Sequence, residues 1–598
     1  MFAGVLGPLR IDHRFGVGVA AVLAAGLLAA GRMSAKVNTI PASVQAPAAP
    51  SAACAPCHQA IYERYRKTPM ANASGAAADG FLPGSFTHAA SGVSYKIIEK
   101  EGHVYLTFAR EAAPPVHGTA EDRSLDGQRE LKYFLGSGRR GRTYLFDQDG
   151  YWFEIPVNWY AKKRIWDMAP NYQNVREMPL TLPVDPGCLR CHASEAQPSL
   201  PQARNRYAGA PFLAGGITCQ ACHGDAKAHL ASGGKIPMQN LDQLEAVRRD
   251  SICLSCHLEG QEAVVHAGKR LVDFRPGESI FDYASFFVRA AGLGERATSQ
   301  WEALLQSGCK RAAGDKLTCT TCHDPHGSTE GMSVGERVAF YRARCLQCHD
   351  SGAAGSTGPI GLGGEPRGSF GATHHPENPD CASCHMPRAR ADDIAHEQVT
   401  DHRILRVPEE KFKSAGEAGL GSLVAVDQAE GVPGPSTDRD LGLAYALAAS
   451  RGDRQAGENA MDLLRKSEAL PGAAADYELH EQLGFLDQLN GDKDAAIREY
   501  GLALEANGYD SVAEGNLALL KAGNRQYGAA VELWERAFRD DPVQWKAGMN
   551  LAVVECGIGK KEAAQSTLER ILAFSPDDGA AKTLAREIRS GTRGCAPH

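Results

Sequence analysis

The rhythm of polar and apolar positions changes several times along the chain, and each rhythm predicts a different element. Residues 15–30 (FGVGVAAVLAAGLLAA) are sixteen apolar or small positions behind Arg10 and Arg14, the pattern of an export signal. Small residues at Ala29 and Gly31 suit cleavage, and the length of the run leaves an uncleaved N-terminal anchor open as the alternative. Residues 36–53 are rich in Ala, Pro and Ser without an apolar period and read as a linker. Segments 93–110, 131–138, 142–160 and 163–168 alternate aromatic or branched residues with polar ones around Glu-Gly and Asp-Gly pairs. That predicts a small antiparallel β module inserted at about 85–180. Residues 280–311, with FDYASFFVRAAG and ATSQWEALLQSGCKR, carry helical periodicity.

Past about residue 410 a period of 34 sets in. Leu483, Leu517 and Leu551 are 34 apart, as are Ala496, Ala530 and Ala564, and Leu504, Phe538 and Leu572. Small residues where two helices would cross, with Pro542 and Pro576 after the second helix, predict stacked helix pairs, an α-solenoid with a concave face. Residues 441–470 form a degenerate earlier unit. The divisions expected are a signal or anchor at 1–35, a linker at 36–53, a central region at 54–410, a linker at 411–435, the repeats at 436–590 and a tail at 591–598.

Composition changes the picture at one point only. Charge does not direct the reading: 64 Lys and Arg against 71 Asp and Glu leave a net charge of -7, which argues against nucleic acid as a partner. The 17 cysteines and 20 histidines do direct it. Fourteen of those cysteines form seven copies of Cys-x-x-Cys-His: Cys54, Cys57 and His58; Cys188, Cys191 and His192; Cys219, Cys222 and His223; Cys253, Cys256 and His257; Cys319, Cys322 and His323; Cys345, Cys348 and His349; Cys381, Cys384 and His385. A random chain of this composition would hold roughly 0.02 copies. Two thiols add to the two vinyl groups of a haem, and the following histidine becomes the proximal iron ligand. Zinc does not require a histidine immediately after the second cysteine in every copy. Disulfides closing two-residue loops would restrain little and leave the histidines idle. Seven covalently attached haem c groups are therefore expected.

Low-spin haem needs a sixth ligand. Ten histidines outside the motifs lie between 59 and 402. His229, His266, His326, His374, His375 and His402 are the preferred distal candidates, ahead of His88, His103, His117 and His396. In CHDPHG, His326 follows His323 by three residues. The porphyrin separates the two faces of an iron, so His326 must serve a neighbouring haem if it serves any. Met70, just past Pro69, is a further candidate, and a thioether there would raise its haem's potential. Cys309 is a candidate thiolate or a structural thiol, and the spacing leaves open whether Cys556 and Cys595 pair.

Gly484, Ala496, Ala503 and Leu504 with their equivalents resemble the tetratricopeptide repeat. Over about residues 50–405, CAPCHQAIYERYRKTPMA, YFLGSGRRGRTYLFDQDGYWFEIPVNWY with CLRCHAS after it, LTCTTCHDPHG and HHPENPDCASCHMPRARADDIAHEQVTDHRI resemble multihaem cytochromes c of the cytochrome c-552/4 type. That group is related in motif style to the tetrahaem cytochrome and hydroxylamine oxidoreductase of ammonia oxidisers. The resemblance implies a mainly α fold packed by haem with few regular elements, and electron transfer as the activity. Family members often carry an axial His after Thr-Pro, where this chain has Met70.

Two functions from different classes follow. The first is an exported, periplasmic or otherwise extracytoplasmic electron carrier between redox partner proteins, docked in part through the repeats. The second is an oxidoreductase with one open haem acting on nitrite, hydroxylamine or a sulfur oxyanion. Arg139, Arg140, Arg142, Tyr144, Lys162, Lys163 and Arg164 could line an anion pocket for the second. The absence of a Cys-x-x-Cys-Lys motif and the ample histidine supply favour the carrier.

Overall fold

The computed structural model describes residues 50–111, 124–170, 172–289, 299–327, 329–349, 379–388, 400–405, 422–426 and 438–596. The apolar run at 15–30, His117, His374, His375, His396 and the 411–435 linker, apart from residues 422–426, lie outside the described residues. Among those described, no helix is long and apolar enough to cross a membrane.

The alternating segments form two antiparallel sheets. Gly84–Thr87, Ser94–Lys100, His103–Arg110 and Leu125–Leu131 pair in sequence order. The hairpin between the second and third of these turns through Glu101 at φ 55° and Gly102 at φ 81°. Two consecutive positive-φ residues make the turn whose twist matches that of the strands it joins. Asp149 at φ 54° and Gly150 at φ 80° repeat the device between Gly141–Gln148 and Tyr151–Glu154. The second sheet runs Ser74–Ala76, Tyr133–Leu135, Gly141–Gln148, Tyr151–Glu154, Leu182–Pro183, with Val157–Tyr160 and Ile165–Met168 attached at its side. Tyr95, Leu106, Tyr144, Phe146, Phe153 and Met168 fill a shared core. The module is thus larger than its strand signals implied, with a side-chain core of its own.

Between the motifs the chain is thin. Pro186–His192, Cys219–His223, Ala246–His257, Cys319–Cys322, Val334–His349 and Cys381–His385 are helices that end on a motif. Val334–His349 buries none of its residues, and Pro186–His192 buries only Leu189. Residues 284–289, expected to be helical, form instead the central strand between Glu262–Val265 and Leu423–Ala425. The aromatic and branched run Ser285, Phe286, Phe287, Val288 is buried on both faces there, a demand that overrides helical spacing.

The C-terminal region is four antiparallel helix pairs and a last helix: Asp438–Ser450 with Arg454–Glu468, Tyr477–Asn490 with Lys493–Ala506, Ser511–Gly523 with Tyr527–Asp540, Trp545–Gly557 with Lys561–Phe574, then Gly579–Ser590. Asp453, Asp476, Asp492, Asp510 and Asp578 cap helix starts by accepting backbone N–H bonds. Ala496, Ala530 and Ala564 are fully buried where helices cross. Gly484 is required there, since a Cβ on it would lie 2.8 Å from Cδ1 of Tyr500. A disulfide joins Cys556 to Cys595.

Both ends of the array are bound to the rest of the chain. Asp440 accepts from Ser285 Oγ at 2.9 Å, and Arg289 pairs with Asp453 at 2.8 Å. At the far end Phe574 enters the β-module core, its ring against Tyr151 and Phe153. Asp577 meets Arg110 in a buried ion pair and accepts the Met178 N–H at 2.8 Å.

Candidate haem-binding cavity

The thin region borders an open cavity of about 3740 Å³, several times the roughly 1,000 Å³ that bounds ordinary small-molecule pockets. Six of the seven motifs line it with both cysteines and the histidine, and Cys191 joins from the seventh. Met70 and Cys309 line it as well. Protein interiors are close-packed, so walls of this composition are built around large groups attached through thiols.

Thiols from different motifs adjoin across this space. Cys191 Sγ lies 3.8 Å from the Ser255 carbonyl and Cys256 Sγ 3.7 Å from that of Arg190, so the second and fourth motifs stand side by side. A hydrogen bond from the Cys191 thiol pulls Cys256 below the usual thiol range, and burial works against it. Cys319 in the fifth motif does the same for Cys253 in the fourth. Burial, then Cys219, pushes the Cys54 thiol up to about 11.

The candidate axial histidines give the sharpest test of fit. Two iron–nitrogen bonds of about 2 Å and two ring radii of about 1.2 Å separate the ring centroids of a bis-imidazole haem by about 6.4 Å. His58 faces His229 at 6.4 Å with an interplanar angle of 23°. His223 faces His326 at 6.0 Å and 12°, and His323 faces His402 at 6.2 Å and 33°. His229 and His402 are hydrogen-bonded at Nδ1 to the Ile236 and Thr400 carbonyls, each at 2.7 Å, and His326 Nδ1 lies at ion-pair distance, 3.3 Å, from Asp324. Engagement of one ring nitrogen leaves Nε2 to ligate. Burial lowers the His223 and His402 imidazoles below their ordinary range, which favours the neutral form that ligation requires.

Local sequence explains how these rings are presented. His58 leaves helical geometry at φ −116° and ψ 36° inside Ala55–Tyr65, which frees its ring. His229 sits on the short helix Lys227–Ala231, and the Ser232 hydroxyl bonds its carbonyl. His326 follows a turn in which Asp324 Oδ1 accepts its backbone N–H at 2.9 Å. The turn ends at Gly327, φ +83°, where a Cβ would come within 2.6 Å of Thr68 Cγ2. Glu330 then binds Arg139 at 2.6 Å. His385 is oriented by the Leu405 carbonyl at 2.6 Å from its Nδ1.

The other sequence candidates fall elsewhere. His266 Nε2 lies 3.0 Å from Ser285 Oγ and 3.2 Å from Asp440, in the seam between the central strand and the repeats. His88 is buried with both ring nitrogens engaged, by Ser91 and Gln173, and His103 pairs with Glu130. Of the basic cluster, Arg142 is buried and donates to the carbonyls of Gly136, Asp79 and Gly80, stacked 3.8 Å over Phe134. Arg139 donates to Glu330 and to the Lys67 carbonyl. Both guanidinium groups serve the fold. Asp324 was not singled out from sequence, although Asp two residues before a candidate ligand in a Pro-containing turn is a readable signal.

A family model described as the doubled CXXCH motif matches residues 311–354, the stretch that holds the fifth and sixth motifs. The multiheme cytochrome MtrA of Shewanella baltica (strain OS185) is 24% identical over 157 residues, 22% of this chain. The chain spans 42% of that relative's length. These support a multihaem c-type cytochrome with covalently bound haem c. Among solved structures, the outer cell wall cytochrome OcwA aligns over 82% of this chain and 99% of its own, at 15% identity and a TM-score of 0.35. A tetratricopeptide repeat protein from Parabacteroides merdae aligns over 25% of this chain and 61% of its own, at 18% identity and a TM-score of 0.22.

Proposed function

We propose that the protein is an exported heptahaem cytochrome c that passes electrons between redox partner proteins and does no bond chemistry of its own. The observation that carries this reading is the set of three facing histidine pairs at bis-imidazole separation. In this reading the fourteen motif cysteines hold seven haems, and His58, His192, His223, His257, His323, His349 and His385 are the proximal ligands. His229, His326 and His402 close the irons of the first, third and fifth motifs. His266 drops out of the distal set because Ser285 and Asp440 engage it, while Met70, His374, His375, His117 and His396 remain candidates for the four other irons. Haem supplies reversible one-electron chemistry when bound. The chain's own residues anchor it, orient the axial rings and exclude water.

Export is supported by the Cys556–Cys595 disulfide, a bond that persists in oxidising compartments. The repeat array is proposed to take part in docking redox partners through its middle helices, because its two ends already engage the rest of the chain.

The test is low-temperature electron paramagnetic resonance of the oxidised protein with spin counting against a haem assay. Seven haems, all low-spin, are expected. A high-spin signal near one haem per molecule would overturn the carrier reading in favour of an open site for a nitrogen or sulfur compound.

A further inference from the structure

The cavity wall carries a charge opposite to that of the chain as a whole. Among the described residues that border it are seven arginines and no lysine, against three aspartates and no glutamate. Seven against three leaves a formal +4 there, in a chain whose net charge is -7. Arginine is the cation suited to carboxylates, because its planar fork donates two parallel N–H bonds to the two oxygens.

Some of these arginines are held by protein. Arg403 is bound to Asp401 at 2.6 Å, and Arg344 lies 5.0 Å over the Phe340 ring. Arg249 differs. It stands one turn before Cys253 on the helix Ala246–His257 and borders the cavity with Cys253 and Cys256. Its Nε is shut off from solvent without a hydrogen-bond partner, and its side chain makes no ion pair among the described residues. The charges beside it are spent elsewhere. Asp250 accepts the Cys319 N–H at 3.3 Å, Lys310 Nζ donates to the carbonyls of Gly314 and Leu317, and Arg248 donates to that of Gly277 at 3.0 Å. A covered N–H without an acceptor is costly, and native proteins rarely leave one. The acceptor that completes Arg249 therefore comes from what the cavity holds. The charged acceptors that haem c brings are its two carboxylates.

We infer that Arg249 binds a carboxylate of one of the haems in this cavity, so that the helix of the fourth motif grips haem by charge as well as by its thiols. This rests on the reading that the motifs carry haem. A cation held at that carboxylate disfavours the ferric iron, which carries one more positive charge than the ferrous, and so raises the reduction potential.

The experiment uses the full-length, haem-loaded protein: a haem assay, then spectroelectrochemical titration of the wild type, Arg249→Leu and Arg249→Lys. With seven haems retained, Arg249→Leu is expected to lower the potential of one component, about one-seventh of the signal. Its oxidised-to-reduced ratio at fixed potential should rise about tenfold, which is about 59 mV for one electron. Arg249→Lys keeps the charge without the fork and is expected to restore most of that shift. If no component moves in Arg249→Leu, the inference falls and the heptahaem reading stands. A shift that Arg249→Lys does not reverse also overturns it, because packing rather than charge would be the cause. Should Arg249→Leu hold only six haems, Arg249→Lys decides: seven haems restored supports the charge contact, and six again overturns it. A wild-type count short of seven strikes the heptahaem reading itself, while the comparison of the two variants still decides the role of Arg249.

Discussion

Val334–His349, in the motif region, is sixteen residues long and buries none of its side chains against protein. Tyr527–Asp540, in the repeats, has fourteen residues and buries Ala530, Val531, Leu533, Trp534, Ala537 and Phe538. A helix in water is held mainly by the apolar face it buries. The repeat helix has that face inside the polypeptide; the motif helix borders the cavity through Cys345, Cys348 and His349. The repeat helices are stabilised by their own side chains, whereas a motif helix such as Val334–His349 has its unburied faces free for the groups its cysteines would attach.

That contrast breaks most visibly when haem attachment is prevented. In protein made without haem, the motif helices such as Val334–His349 are expected to unfold while the array keeps its helices. Limited proteolysis should leave a resistant fragment beginning near residue 438, with far-ultraviolet circular dichroism still helical. Equal digestion of both halves would remove the distinction. A smaller effect is expected from Trp534→Ala, since the indole is 2% exposed and donates to the Gly515 carbonyl. Its loss should cost about 3–5 kcal/mol in denaturant unfolding of the array, with the haem spectrum unchanged. A haem spectrum that shifts in step with unfolding would show the two halves to be one cooperative unit.

The smallest effect concerns Glu154, beside the second motif in the β module. Burial pushes its carboxyl up to about 7. A carboxyl raised in the folded state binds its proton more tightly than in the unfolded chain. Stability therefore falls as pH rises from the ordinary carboxylate range, near 4.5, through about 7. Glu154→Gln should flatten that fall, measured as melting temperature from pH 4.5 to 8. An unchanged slope would place the titration elsewhere.

The features readable in the chain are those set by local spacing. Each motif is five consecutive residues, the repeats recur every 34, and the Glu101-Gly102 and Asp149-Gly150 turns declare their hairpins. The helical rhythm of 284–289 misled because periodicity in a short apolar run reflects burial on two faces as readily as one helix face. The partner of each candidate distal histidine was not readable, because the pairs join residues 171, 103 and 79 positions apart: His58 with His229, His223 with His326, His323 with His402.

By itself, then, the sequence determined the covalent chemistry, since a thiol pair followed by histidine needs only its own short turn to hold a haem. It determined the helical array for a similar reason, because each repeat contacts only its neighbours. The tertiary structure alone decided which imidazole faces which, that Asp324 lies behind one of them, that His266 belongs to a seam, and that Cys556 meets Cys595. Those outcomes depend on how distant segments pack across a shared cavity or seam, and no local spacing encodes that distance.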